Sequence, residues 1–119
     1  MTQDARAALT AAREEVLARL AGLERDFTSS VEAAAAANAD DEHDPEGATI
    51  AFERQHVAAL MADARGQLDQ IDRALARVDD GSYGICTSCG RPIAPARLAA
   101  RPTATTCIDC ASRRRRGGR

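Results

Sequence analysis

The 119-residue sequence has no tryptophan and no lysine, and its only aromatic side chains are Phe27, Phe52 and Tyr83. So few large rings exclude a thick globular core, because aromatic residues bury the largest areas in domains of this size. No apolar run approaches the roughly 18 residues a membrane span requires. The opening stretch MTQDARAALTAAREE is charged where a secretory signal would be apolar. These absences predict a soluble, cytoplasmic protein with no membrane contact. The missing lysine carries no functional reading, since arginine simply supplies all sixteen basic residues.

What is present in quantity is alanine: 27 residues, over half of the 45% apolar content. Alanine favours helix while burying little surface. From Val16 onward, apolar or small residues recur at Leu20, Leu23, Phe27, Ser30, Ala34 and Ala37, in alternating steps of four and three. This is a coiled-coil seam and predicts a first helix from about Thr2 to Ala37. A second seam, Val57, Met61, Ala64, Leu68, Ile71, Leu75 and Val78, is extended backward by Ile50. It predicts a second helix from Pro45 to about Asp79, with Asp44 as its N-cap and Pro45 at its first position. Each helix would be about 50 Å long at 1.5 Å per residue. The polar stretch 38–46 between them must turn the chain back, so the expected fold is mainly α: a long antiparallel two-helix coiled-coil hairpin over residues 1–80. An intramolecular hairpin of this kind predicts a monomer.

Charge divides unevenly along the chain. Residues 1–80 hold 17 acids and 8 arginines, net −9, whereas residues 81–119 hold one acid and 8 arginines, net +7. Five of the acids fall between Asp40 and Glu46, at the expected hairpin tip. A tip of that charge suits a basic protein rim or a protein-bound magnesium ion and is repelled by nucleic-acid phosphates. The simpler alternative is a solvated loop whose Asp44 and Glu46 favour the positive end of the second helix dipole.

The strongest chemical signal follows Gly81. Cys86-x-x-Cys89 and Cys107-x-x-Cys110 are separated by 17 residues, the spacing of a four-cysteine zinc site in which each pair wraps a knuckle around one tetrahedral ion. Gly90 lets the chain turn directly after the first pair, and Pro92, Pro95 and Pro102 stiffen a loop too short to bury itself. Disulfides would need an oxidising compartment, and a redox Cys-x-x-Cys would need a thioredoxin-like strand-helix pattern that is missing. Residues 81–111 therefore read as a zinc finger holding one Zn²⁺ per chain. Four thiolates with one divalent cation bring the finger to about +5. A site filled by four protein ligands leaves no position for substrate, and no phosphate loop or nucleophile-base pair occurs elsewhere, so no enzyme activity is expected.

Residues 112–119 form an arginine- and glycine-rich tail, expected to be mobile. The run Arg113 to Arg116 invites phosphate contacts, but no aromatic residues interleave for stacking, so sequence-specific DNA binding is not expected. His43 and His56 read as surface residues.

The stretch Asp79 to Cys110 carries Gly84, Cys86-x-x-Cys89-Gly90, Ile93, Arg97-Leu98, Arg101-Pro102-Thr103-Ala104 and Cys107-Ile108-Asp109-Cys110. In these positions it closely resembles the DksA/TraR zinc-finger family. The resemblance implies a bacterial transcription regulator that binds RNA polymerase, inserts its coiled-coil tip into the secondary channel and modulates initiation without catalysing a reaction. The family tip reads Asp-x-x-Asp-x-Ala. Counting back from the finger without gaps puts His43 on the first acid, Glu46 on the second and Ala48 on the alanine, with Asp41 or Asp44 reaching the first acid by a local shift. Asp41, Asp44, Glu46 and Ala48 are thus the expected partner-binding residues. Dependence on the alarmone ppGpp stays open at this point, and a zinc-finger and coiled-coil interaction module that docks on another protein is the competing reading.

Overall fold

A computed structural model of the protein describes residues 2–40 and 45–117, without the side chains of Thr2, Ala34, residues 37–40 and 45–47, and Gly117. Four helices follow in order: α1 (Thr2–Asp40), α2 (Pro45–Asp80), α3 (Pro95–Ala100) and α4 (Ile108–Gly117). Among the described residues the only extended pairing is one antiparallel bridge, Ile85 to Pro92. None of the described helices is long and apolar enough to cross a membrane. Asp41, His43 and Asp44 lie outside the described residues, as does the side chain of Glu46.

The chain divides into two compact units, residues 14–68 and residues 1–13 with 69–119. In the first unit, α1 and α2 meet along the two seams. Val16, Leu20, Met61 and Ala64 are buried, while Leu23, Phe27, Ile50, Val57 and Leu68 are half-buried. Arg19 Nη1 donates to Gln67 Oε1 across the pair at 3.5 Å. The alternation of four and three keeps one stripe of each helix turned to its partner, which is why small and apolar residues disappear from solvent at those positions. Phe52, outside the stripe, is 74% exposed.

In the second unit the start of α1 lies beside the last turns of α2. Arg6 Nη2 binds Asp79 Oδ1 at 2.6 Å and Arg13 Nε binds Asp72 Oδ1 at 2.8 Å. Seven residues forward on α1 match seven backward on α2, which is the signature of antiparallel helices in heptad register. Leu9, Ile71, Ala74 and Val78 form the buried helical core here, and the finger adds Cys86, Ile93 and Thr106. Leu9 and Ala74 are completely inaccessible.

The second helix stops at a Schellman turn. Gly81 has φ +84°, and the amides of Ser82 and Tyr83 both donate to the carbonyl of Arg77, at 3.0 and 3.1 Å. The Asp80 carboxylate accepts from the hydroxyl and the amide of Ser82, and these bonds hold its carboxyl below its ordinary value. The finger therefore leaves α2 along a fixed path.

At the other end, helix α4 runs through Gly117 and so crosses the expected boundary between finger and tail at Ser112. The Cys107 carbonyl accepts from the Ala111 amide at 3.0 Å, which starts the helix at the second cysteine pair. Arginine then propagates it with high helix propensity, and the positive side chains suit its C-terminal end.

Candidate metal centre

Each cysteine pair is presented by a different local structure. In the first, the Gly90 amide donates to Cys86 O at 2.9 Å and the Cys86 amide to Arg91 O at 2.8 Å. Gly90 closes this knuckle at φ +75°, a left-handed conformation in which a Cβ is disfavoured. In the second, Cys107 sits at the N-cap of α4 and Cys110 in its first turn, where the helix dipole favours a thiolate.

The two knuckles are tied together by backbone-directed bonds. The Thr87 amide donates to Thr105 O at 2.9 Å, and Arg97 Nε of α3 donates to Thr106 O at 2.8 Å. Tyr83 Oη donates to Pro102 O at 2.8 Å, and burial raises the Tyr83 pKa. Ile93 and Thr106 fill the space between, so segments far apart in sequence are held in one small body.

The result is that the Sγ atoms of Cys86, Cys89, Cys107 and Cys110 all lie within 4.8 Å of one another. A tetrahedral ion with sulfur ligands at about 2.3 Å requires sulfurs about 3.8 Å apart. Cys89 Sγ and Cys107 Sγ are 3.9 Å apart, too far for a disulfide at about 2.05 Å and close to the tetrahedral edge. All four cysteines are free, with Cys86 buried, Cys107 and Cys110 half-buried and Cys89 exposed.

Electrostatics point the same way. Backbone amides of Cys107 and then Cys89 bring the Cys86 thiol down to about 6, whereas the sulfurs of Cys107 and Cys86 push Cys110 up to about 12. Four sulfurs in so small a space cannot all ionise against one another, and a divalent cation relieves that repulsion. The donor set fits zinc, and it is closed, with no place for a water or substrate on the ion.

Residues 81–116 match the model of the prokaryotic dksA/traR C4-type zinc finger. The RNA polymerase-binding transcription factor DksA of Caulobacter vibrioides (strain NA1000 / CB15N) is 52% identical over 52 residues, which are 44% of this chain and 37% of that protein. The protein of the same name from Escherichia coli (strain K12) is 48% identical over 46 residues, 39% of this chain and 30% of that one. The chain thus spans only about a third of the length of these curated relatives. The transcription factor DksA2 from Pseudomonas aeruginosa is similar over a far larger share: its structure superposes with a TM-score of 0.83 at 30% identity, over 97% of this chain and 83% of that one.

The chain belongs to the DksA/TraR family.

A DksA/TraR protein is thereby established from both ends, the cysteine knuckles and the long helices. Of the expected tip residues, Ala48 is exposed on α2, and Glu46 lies in the first turn of the same helix. Asp41 and Asp44 lie outside the described residues.

One feature escaped the sequence reading. A cavity of about 580 Å³ opens between α2, α3 and α4, lined by Arg73, Arg77, Arg97, Arg101, Arg114 and Arg115 and by no carboxylate. Arg77 Nη2 is buried there without a hydrogen-bond partner among the described residues. The signal in the sequence was spacing: Arg73 and Arg77 are an i, i+4 pair that puts two guanidinium groups on one face of α2, while Arg97 lies on α3 and Arg101 just past its end. The visible run at Arg113 to Arg116 masked them.

Proposed function

We propose that the chain is a zinc-binding transcription factor that binds bacterial RNA polymerase. Its domains would be the hairpin of residues 1–80 with the acidic tip at 38–46, the zinc finger of residues 81–111, and the arginine-rich end of residues 112–119. The observation that carries this reading is the likeness to DksA2 over 83% of that protein, joined to the name shared by the curated relatives.

In this reading Cys86, Cys89, Cys107 and Cys110 hold one zinc ion, which supplies folding energy and no catalysis. The ion fixes the finger against the end of α2, through the Gly81 turn and the buried Ile93. The hairpin presents Asp41, Asp44, Glu46 and Ala48 to the polymerase secondary channel, where their negative charge acts on the region of the catalytic magnesium and modulates initiation. Regulation then depends on charge at the tip, and binding depends on the length and packing of the helices.

The test is binding of the zinc-loaded protein to a bacterial RNA polymerase, with promoter output measured in parallel. The comparison is a variant carrying Asp41→Asn, Asp44→Asn and Glu46→Gln. Binding by both forms, with an effect on transcription only from the native one, is the expected result. If neither form binds, the polymerase assignment fails and a docking role on another protein takes its place.

A further inference from the structure

The unit formed by residues 1–13 and 69–119 contains 12 arginines and only six aspartates, and the other unit contains 12 acids and 4 arginines. The few acids of the basic unit are largely occupied. Asp79 pairs with Arg6, Asp72 with Arg13 and Asp69 with Arg73, and Asp80 accepts from Ser82. None of these pairs involves an arginine of the finger. Arg113, Arg114, Arg115 and Arg116 are all exposed and make no ion pair among the described residues.

Four consecutive arginines at about 100° per residue encircle a helix. Arg114 and Arg115 therefore line the cavity with Arg73, Arg77, Arg97 and Arg101, while Arg113 and Arg116, neighbours at i, i+3, carry positive charge around the rest of α4. We propose that this continuous surface binds the phosphodiester backbone of a nucleic acid without reading its bases.

Three properties favour a polyphosphate strand. A guanidinium fork matches two oxygens of a phosphate, and Arg77, one of the residues that line the concavity, has its buried Nη2 without a hydrogen-bond partner among the described residues. So many cations in one place need an anion of high linear charge density, which a nucleic acid supplies at about one charge per 1.7 Å of duplex axis and an acidic protein surface does not. A small anion would use the cavity alone, whereas a strand seated in it continues over Arg113 and Arg116. Base recognition is excluded by the lack of a stacking platform, since Tyr83, the finger's only aromatic residue, is half-buried with its hydroxyl bonded to Pro102 O. The proposal does not depend on polymerase binding.

The experiment is a fluorescence-anisotropy titration of the zinc-loaded full chain against a labelled DNA duplex and a scrambled duplex, at several salt concentrations. Two variants are compared, Arg114→Ala with Arg115→Ala, and Arg113→Ala with Arg116→Ala, each checked for zinc content and helicity. Binding of both duplexes alike, with Kd of about 10⁻⁴ to 10⁻⁶ M, is expected. Each double variant should weaken it and reduce the salt slope by about two. Absence of binding at low salt overturns the proposal, as does unchanged binding by both variants. Tighter binding of labelled poly-glutamate than of the duplex at equal charge would overturn it in favour of an acidic protein partner. Inorganic triphosphate binding that is lost in the Arg114/Arg115 variant, together with DNA binding untouched by the Arg113/Arg116 variant, would reduce the surface to a small-anion site.

Discussion

Cys89 Sγ and Cys107 Sγ stand 3.9 Å apart although 18 positions separate them in the chain. Nothing but the fold of the finger brings them together, and the bonds from Thr87 to Thr105 and from Arg97 to Thr106 set the approach. On the proposed reading a zinc ion is the mutual core of these two knuckles, so the metal and the local fold should be lost together.

Replacing Cys89 by alanine tests that dependence. The variant should fall from one bound zinc per chain to well below one, by elemental analysis of protein freed of loose metal. Its finger amides should lose hydrogen-exchange protection while the seam around Leu20 and Met61 keeps its own. Full zinc retention would defeat the four-thiolate site.

Gly90 gives a second, gentler perturbation. At φ +75°, with no atom within 4 Å of an added Cβ, alanine there meets strain in the backbone and no steric clash. Gly90→Ala should cost about 1–2 kcal/mol and appear as faster zinc loss to a chelator at an unchanged stoichiometry. If the chelation rate matches the native protein, the knuckle geometry is not what limits metal release.

The seams and the cysteine spacing were both legible in the sequence because each is a local periodicity: steps of four and three place Val16, Leu20, Met61, Ala64, Ile71 and Val78 on buried stripes, and two Cys-x-x-Cys pairs announce two knuckles. Leu9 and Ala74 were not legible. Leu9 stands one heptad before Val16, but Arg13 between them breaks the apolar alternation that would have announced it, and Ala74 lies off the second seam, so its complete burial depends on contacts that only the folded unit creates. The arginine cavity was hidden for the same reason, since Arg73 and Arg97 belong to segments that sequence distance keeps apart. The extension of α4 through Gly117 was obscured by composition, because an arginine-rich end reads as a solvated tail until the Cys107 cap is seen to start a helix.

The turn after α2 carries a pH signature. The hydroxyl and amide of Ser82 hold the Asp80 carboxyl below its ordinary value of 3.8. A carboxyl depressed in the folded state stabilises the fold above its unfolded value, and that contribution is lost as pH falls through the lower folded value. An NMR titration should therefore find Asp80 below the ordinary value, and Ser82→Ala should move it upward. An unchanged Asp80 titration in that variant would show that the hydroxyl bond does not set the charge of the turn.

The last prediction separates burial from ion pairing where the two helices meet beside the finger. Arg13 and Asp72 form a well-aligned pair, but both side chains are about half exposed, at 41% and 53%. Water and salt screen such a pair, so Asp72→Ala should cost no more than about 1 kcal/mol, and less at high salt. Leu9 is fully buried against the same stretch of hairpin. Its truncation to alanine removes apolar contacts that the surroundings cannot replace and should cost about 2–5 kcal/mol, with no dependence on salt. Denaturant unfolding of the zinc-loaded variants at two salt concentrations distinguishes them. If Asp72→Ala proved the more damaging, the helices in this unit would be held by their charges, and the apolar seam would have to be demoted from cause to accompaniment.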